Sequence, residues 1–135
     1  MTRVDVGHEI PAREFRITRE TLVRYAGASG DFNVIHWNQR IAHEVGLPDV
    51  IAHGMLTMGM AIQVVTDWCE GPSALVDCGC RFTRPVVVPD DGVGATLHVS
   101  GTVTAVEDSI ATVSLKAMCA DVSVLGKAIA RVRVG

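Results

Sequence analysis

Between Tyr25 and His36 the chain reads Tyr-Ala-Gly-Ala-Ser-Gly-Asp-Phe-Asn-Val-Ile-His, which brings a carboxylate (Asp31), a carboxamide (Asn33) and an imidazole (His36) within six residues of a Gly-rich loop. An Asp and a His held close together can divide proton work, one giving while the other takes. The same residues have a plainer use. Asp31 and Asn33 are good Asx-turn formers, and His36 can be a partly buried, hydrogen-bonded histidine. Spacing alone leaves both uses open.

A second segment, Ile51-Ala52-His53-Gly54-Met55-Leu56, stands where an apolar helix begins. The first N–H groups of a helix lack intrahelical acceptors and point toward any ligand placed there. Glycine lets a substrate atom approach that backbone closely. Such donors suit a thioester carbonyl becoming an enolate, although a glycine at a helix start can equally serve geometry alone. His53 is expected to shape the pocket or to pack. His8, His43 and His98 stand alone and read as surface or turn residues. No H-E-x-x-H, G-x-S-x-G or Walker pattern occurs.

These loops need elements to position them. Residues 13–17 read as a short strand, Thr18 as an N-cap, and residues 19–28 as a helix stopped by Gly27, Ser29 and Gly30. Asn38 can cap a short helix through Val45, ended by Gly46 and Pro48. The longest helix is expected from Gly54 to Cys69. Its first three turns are apolar on nearly every face, which predicts a helix surrounded by protein. Gly59 in its interior predicts a close backbone contact.

After Gly71-Pro72 the periodicity becomes two. Residues 74–88 read as one long strand region broken by Pro85. Strands over 95–105 and 111–119 follow, joined by a turn at Glu107-Asp108-Ser109, and residues 123–134 supply a last one. The expected architecture is α+β: a strand, a helical segment, then four antiparallel strands in series wrapped around the buried helix as a single domain over residues 1–135.

Composition agrees. The 135 residues are 48% apolar and 4% aromatic, with a net charge of −3, so aliphatic side chains must fill one core. No block of like charge suggests a nucleic-acid partner. The apolar stretch from Ile51 to Trp68 is interrupted by His53, Gln63, Thr66 and Asp67, which argues against a membrane span. The N-terminal residues carry no apolar signal core. Cys69, Cys78, Cys80 and Cys119 show no C-x-x-C or finger spacing and are expected to be core thiols in a cytoplasmic protein. Trp37 and Trp68 are expected to pack in the core or at an interface, or to line an acyl tunnel.

Together the segments resemble one family. Ser-Gly-Asp-x-Asn-x-Ile-His, with Ala42 six residues after the His, is similar to the hydratase motif of the MaoC-like (R)-specific enoyl-CoA hydratases and (3R)-hydroxyacyl dehydratases. Ala-His-Gly-Met-Leu-Thr-Met-Gly at 52–59 resembles the start of that family's central helix. Arg81-Phe-Thr-Arg-Pro-Val with Pro89-Asp90 resembles its following strand and turn. Within the family the resemblance is nearest to the catalytic subunits of the two-subunit mycobacterial (3R)-hydroxyacyl-ACP dehydratases. One position departs: the family's Pro before the aliphatic residue is Val34 here, which predicts a softer loop.

The resemblance implies a hot-dog fold, with the sheet curved around the helix that starts at Gly54. It implies hydration and dehydration of acyl-CoA or acyl-ACP thioesters, with Asp31 and His36 catalytic and Gly54 donating its backbone N–H to the thioester oxygen. Asn33 matches a loop-orienting position, and Asn33, His53 and Met55 are expected at the substrate. The chemistry needs no metal or redox cofactor. The family's hot dogs pair side by side near the site, so a homodimer, or a heterodimer with a related subunit, is expected. A basic docking patch for the carrier can be drawn from Arg81, Arg84, Arg131 or Arg133, all equally readable as solvated strand-edge arginines. Two rivals remain. A hot-dog thioesterase would place its carboxylate on the central helix, where the sole acid is Asp67 at the far end. A non-catalytic hot-dog subunit would be expected to lack the Asp/His pair.

Overall fold

The computed structural model describes residues 3–135. In chain order its elements are β1 (Glu9–Ile17), α1 (Arg19–Ser29), a 3-10 turn (Val34–His36), α2 (Gln39–Glu44), α3 (Gly54–Trp68), a second 3-10 turn (Pro72–Ala74), β2 (Leu75–Phe82), β3 (Ala95–Glu107), β4 (Ile110–Cys119), β5 (Val122–Ser123) and β6 (Leu125–Arg133). Local chemistry sets the helix ends as expected. Thr18 caps α1 by accepting from the Thr21 N–H, and Gly30 closes it in the left-handed conformation at φ 76°. Asn38 caps α2 by accepting from the Ile41 N–H at 3.0 Å.

The strands form one antiparallel sheet in the order β1-β3-β4-β6-β2, with β5 beside β4. The alternation along β3 and β4 turns Leu97, Val99, Val103, Val113, Leu115 and Ala117 into the core. Asp108 and Ser109, both at positive φ, make the two-residue turn between these strands. Helix α3 lies across the concave face and buries Thr57, Ala61, Val64 and Val65 against it. This is the hot-dog arrangement that the resemblance implied. Among the described residues no helix is long and apolar enough to cross a membrane.

Four expectations need correction. The strands after α3 are not paired in series: β2 lies at the far edge beside β6, while β3 pairs with β1 and β4. The expected strand over 74–88 ends at Phe82. Pro85 cannot extend a ladder, and the chain beyond it leaves the sheet edge. There the Ala52 N–H donates to the Val86 carbonyl and the Val88 N–H to the Val50 carbonyl, both at 2.9 Å. Helix α3 is not surrounded by its own chain, because one sheet covers only one side of a helix. Met55, Gly59, Gln63 and Asp67 face outward, and a Cβ at Gly59 would meet nothing within 4 Å. Finally, the four cysteines are free thiols but not all core: Cys69 and Cys119 are buried, Cys80 is half-buried and Cys78 is exposed on edge strand β2.

The return from β2 to β3 depends on Gly94. Its φ is +77°, and a Cβ there would lie 2.2 Å from the Ile17 carbonyl oxygen, whereas Gly92 at φ +75° faces open space. Gly92→Ala is expected to lose only the conformational term, about 1–2 kcal/mol. Gly94→Ala adds a backbone clash and is expected to lose distinctly more. Urea unfolding midpoints of the two variants test this, and equal losses would contradict it.

Candidate active site

Helix α1 ends at Gly30 and hands the chain to two nested Asx turns. The Asp31 N–H donates to Ser29 Oγ at 3.1 Å, the Asn33 N–H to Asp31 Oδ1 at 3.1 Å, and the Ile35 N–H to Asn33 Oδ1 at 3.2 Å. The turn-forming use of Asp31 and Asn33 is therefore real, and it leaves room for a chemical one, since a carboxylate has two oxygens and several lone pairs. Val34 occupies the first position of the 3-10 turn, a place where proline's missing N–H costs nothing. The capping by Asn33 closes the turn with valine there.

His36 is 8% exposed, and its Nδ1 lies 2.7 Å from the Ile51 carbonyl oxygen. A carbonyl only accepts, so Nδ1 carries the proton, and a neutral His36 keeps the lone pair on Nε2. The same logic applies to His53. Its Nε2 lies 3.1 Å from the Asp31 backbone oxygen, so Nε2 is the donor and Nδ1 holds a lone pair. That Nδ1 is the one buried side-chain polar atom without a partner among the described residues. An orphan of this kind costs about 1–3 kcal/mol. The two imidazoles stack at 3.8 Å with 21° between planes, and the edge of Tyr25 meets His53 at 4.7 Å. Burial pushes the His53 pKa below its ordinary value. The bond to the Asp31 carbonyl opposes that, the nearby His36 adds to it, and the Asp31 charge opposes it again.

One carboxylate oxygen of Asp31 and one ring nitrogen each of His36 and His53 lie within 4.8 Å of one another. That is close enough to consider a metal ion, but the donor set fits one poorly. Lone pairs lie in the ring planes, and two stacked rings hold those planes nearly parallel, so a single ion cannot sit in both. The arrangement suits moving protons.

These groups face a cavity of about 390 Å³ whose other walls include Gly54, Met55, Thr57, Phe82 and Arg84. Gly54 begins α3, and its N–H is one of those the helix leaves unpaired. The Phe82 ring packs closely against it: a Cβ at Gly54 would be 2.9 Å from that ring. Thr57, one turn on, is buried and donates its hydroxyl to the Gly54 carbonyl at 2.8 Å. A larger depression of about 540 Å³ lies between residues 3–6 and the C-terminus, and its charged side chains are Arg3 and Asp5.

The fold thus brings Asp31, His36, His53, Gly54 and Met55 together. Asn33 is exposed and serves as the cap of the 3-10 turn. His53, 1% exposed, belongs to the cavity lining but is almost wholly covered by its neighbours. Thr57, Phe82 and Tyr25 were not expected at the site; of the four arginines considered for the carrier, Arg84 is the one on the cavity wall. Thr57 could have been found, since it lies three residues after Gly54 on one helix face; no sequence signal places the end of β2 over Gly54. Of the other arginines, Arg131 pairs with Asp77 and Arg133 donates to the Ser73 carbonyl. His98 pairs with Glu14, His43 bonds to the Pro48 carbonyl, and His8 stacks on half-buried Trp68. Trp37 is half exposed and donates to the Phe32 carbonyl rather than packing in the core.

The pattern of the MaoC like domain matches residues 4–118 of the chain. The chain belongs to the MaoC-like family. Its sequence is 40% identical over 79 residues to 3-hydroxyacyl-thioester dehydratase X of Mycobacterium tuberculosis, covering 58% of this chain and 27% of that one. It is 35% identical over 88 residues to an (R)-specific enoyl-CoA hydratase of Rhodospirillum rubrum, covering 64% and 60%. A solved MaoC-like dehydratase superposes with a TM-score of 0.94 at 36% identity, over 98% of this chain and 41% of the other. This MaoC-like domain therefore spans less than two thirds of each of these proteins.

The lowered pKa of His53 links protonation to folding. The unfolded chain takes up the proton near the ordinary value of 6.5, and the folded chain only at lower pH, so the unfolded state gains protons first. The stability due to neutral His53 is complete above about pH 6.5 and is lost as pH falls toward the folded pKa. Urea midpoints at pH 7.5 and 5.5 are expected to differ more in the wild type than in His53→Gln, which cannot titrate; equal differences would contradict the linkage.

Proposed function

We propose that this MaoC-like domain is a hydro-lyase that interconverts a (3R)-3-hydroxyacyl thioester of CoA or ACP with the trans-2-enoyl thioester and water. The observation that carries this reading is the fixed tautomer of His36: its Nδ1–H is held by Ile51, leaving the lone pair on Nε2, in a ring that has one nitrogen within 4.8 Å of an Asp31 carboxylate oxygen. Neutral His36 takes the C2 proton while the Gly54 N–H stabilises the developing enolate. The C3–O bond then breaks as the C2–C3 double bond forms, and the proton taken from C2 passes through the Asp31/His36 pair to the departing hydroxyl, which leaves as water. Hydration runs the same steps in reverse, with a water activated between the pair. Met55 and Phe82 at the cavity mouth flank the acyl thioester, and Asn33 orients the loop that carries Asp31. Arg84, on the cavity wall, suits a phosphate of the carrier.

The reading includes a second hot-dog subunit, either a copy of this chain or a related one. The outward face of α3 presents Met55, 59% exposed, and edge strand β2 presents Val76, Cys78 and Phe82. Such an edge and face are typical of surfaces completed by a partner. Hydrolysis of the thioester is the weaker alternative. Asp67, the acid on α3, lies a helix length from Gly54 and is paired with Arg13 at 2.7 Å.

The test is hydration of trans-2-enoyl-CoA of several chain lengths, followed by loss of enoyl absorbance. Asp31→Asn and His36→Gln are each expected to lower kcat roughly 10²–10⁴-fold while circular dichroism remains that of the wild type. No activity with enoyl-CoA or enoyl-ACP, with or without candidate partner subunits, would overturn the proposal. So would folded variants that retain full rate.

A further inference from the structure

His53 is the buried imidazole that the reaction above does not use. The Asp/His pair would keep both its acid-base groups without it, yet it touches both members. Its Nε2–H ends on the Asp31 carbonyl at 3.1 Å, and its ring covers one face of His36 at 3.8 Å. Its own position is set on three sides. It is the N-cap residue of α3, so its backbone carbonyl accepts from the Leu56 and Thr57 N–H groups. The Tyr25 edge abuts the ring at 4.7 Å, and only 1% of the residue is exposed. Asp31, by contrast, lies exposed on a loop whose other restraints are the local Asx-turn bonds.

We propose that His53 is a positioning residue that fixes both members of the pair at once, its Nε2–H holding the Asp31 backbone and its ring face holding the His36 imidazole. The proposal rests on the hydro-lyase reading above. Stability is a poor reason for an imidazole here, because its Nδ1 is an orphan and a phenyl ring would fill the same slot without one. What imidazole adds is the donor to Asp31. The ionisable groups facing His53 are Asp31 from the loop, His36 from the 3-10 turn and Tyr25 from α1. A His53 that stays neutral among them leaves His36 free to take a proton without a charged ring stacked on it, in line with the effect of burial on His53.

The two functions of the ring separate by substitution. His53→Phe keeps the stacked ring and removes the donor. His53→Gln removes the ring and keeps an N–H donor near the place of Nε2. For His53→Phe the expected result is an unfolding midpoint at or above that of the wild type, with kcat lower by on the order of 10²-fold and KM little changed. His53→Gln is expected to recover part of kcat while unfolding more readily. A merely structural histidine would show the reverse order, rate following stability in both variants, and that result would overturn the proposal. So would His53→Phe with kcat within about threefold of the wild type.

Should His53→Phe fail to fold, nitrogen-15 NMR of the wild-type imidazoles decides. The proposal requires His53 as the Nε2–H tautomer, unprotonated at the pH of the hydration assay. An Nδ1–H tautomer, or a charged His53 at that pH, would sink it. This readout needs no turnover, so a wild-type protein without hydratase activity would remove the proposed reaction while leaving the geometry of His53 separately tested.

Discussion

The hydrogen bond from His36 Nδ1–H to the Ile51 carbonyl joins, together with the bond from the Ile51 N–H to the Ile35 carbonyl, two segments distant in sequence, and the rest of the site is arranged around it. In an extended segment alternate residues turn their backbone groups to opposite sides. Val50 and Ala52 turn theirs toward residues 86–88. Ile51 turns its own the other way, its N–H to the Ile35 carbonyl at 3.2 Å and its carbonyl to His36 at 2.7 Å. The 3-10 turn thus stands where a neighbouring strand would. A histidine whose Nδ1 is committed in this way has one tautomer when neutral, and its Nε2 becomes a base of defined direction.

That linkage is held from outside by a clamp of moderate burial. The Arg19 guanidinium, at the start of α1, donates to the Val88 carbonyl at 2.7 Å and to the Asp49 carboxylate at 2.8 Å. Both side chains of the ion pair are about a fifth exposed, so solvent screens it less than the surface pairs of the same chain. It ties the helix that delivers Asp31 to the paired strands that deliver His53 and Gly54. Three segments distant in sequence therefore converge on one end of α3 through backbone bonds and a single arginine.

The same geometry explains why the site lies at an open edge. A helix on a single curved sheet buries one stripe, and the stripe of α3 is Thr57, Ala61, Val64 and Val65. The cavity begins where that stripe ends, between Gly54 and Phe82 at the terminus of the edge strand. Apolar side chains are then left uncovered on the outward face of α3 and on β2, next to the cavity.

Much of this was legible in the residues themselves. Thr18, Gly30, Asn38 and the alternation of β3 and β4 act through contacts a few residues away or through a strict period, so one strand of text suffices to read them. The Asp31–Asn33–His36 cluster could be read as chemistry or as a turn; the turn is there, and it leaves Asp31 and His36 on one cavity. The path of β2 to the far edge, the pairing of 50–52 with 86–88, Phe82 over Gly54 and the clasp of His53 on Asp31 and His36 were decided by tertiary structure alone. Each of these joins residues tens of positions apart. Such contacts are selected by how one sheet and one helix share a core, and no local propensity or periodicity encodes which distant partner wins. The sequence by itself determined the elements, their caps and the kinds of reactive group. Only the fold decided which nitrogen of each histidine carries its proton, because that depends on a carbonyl supplied from elsewhere in the chain.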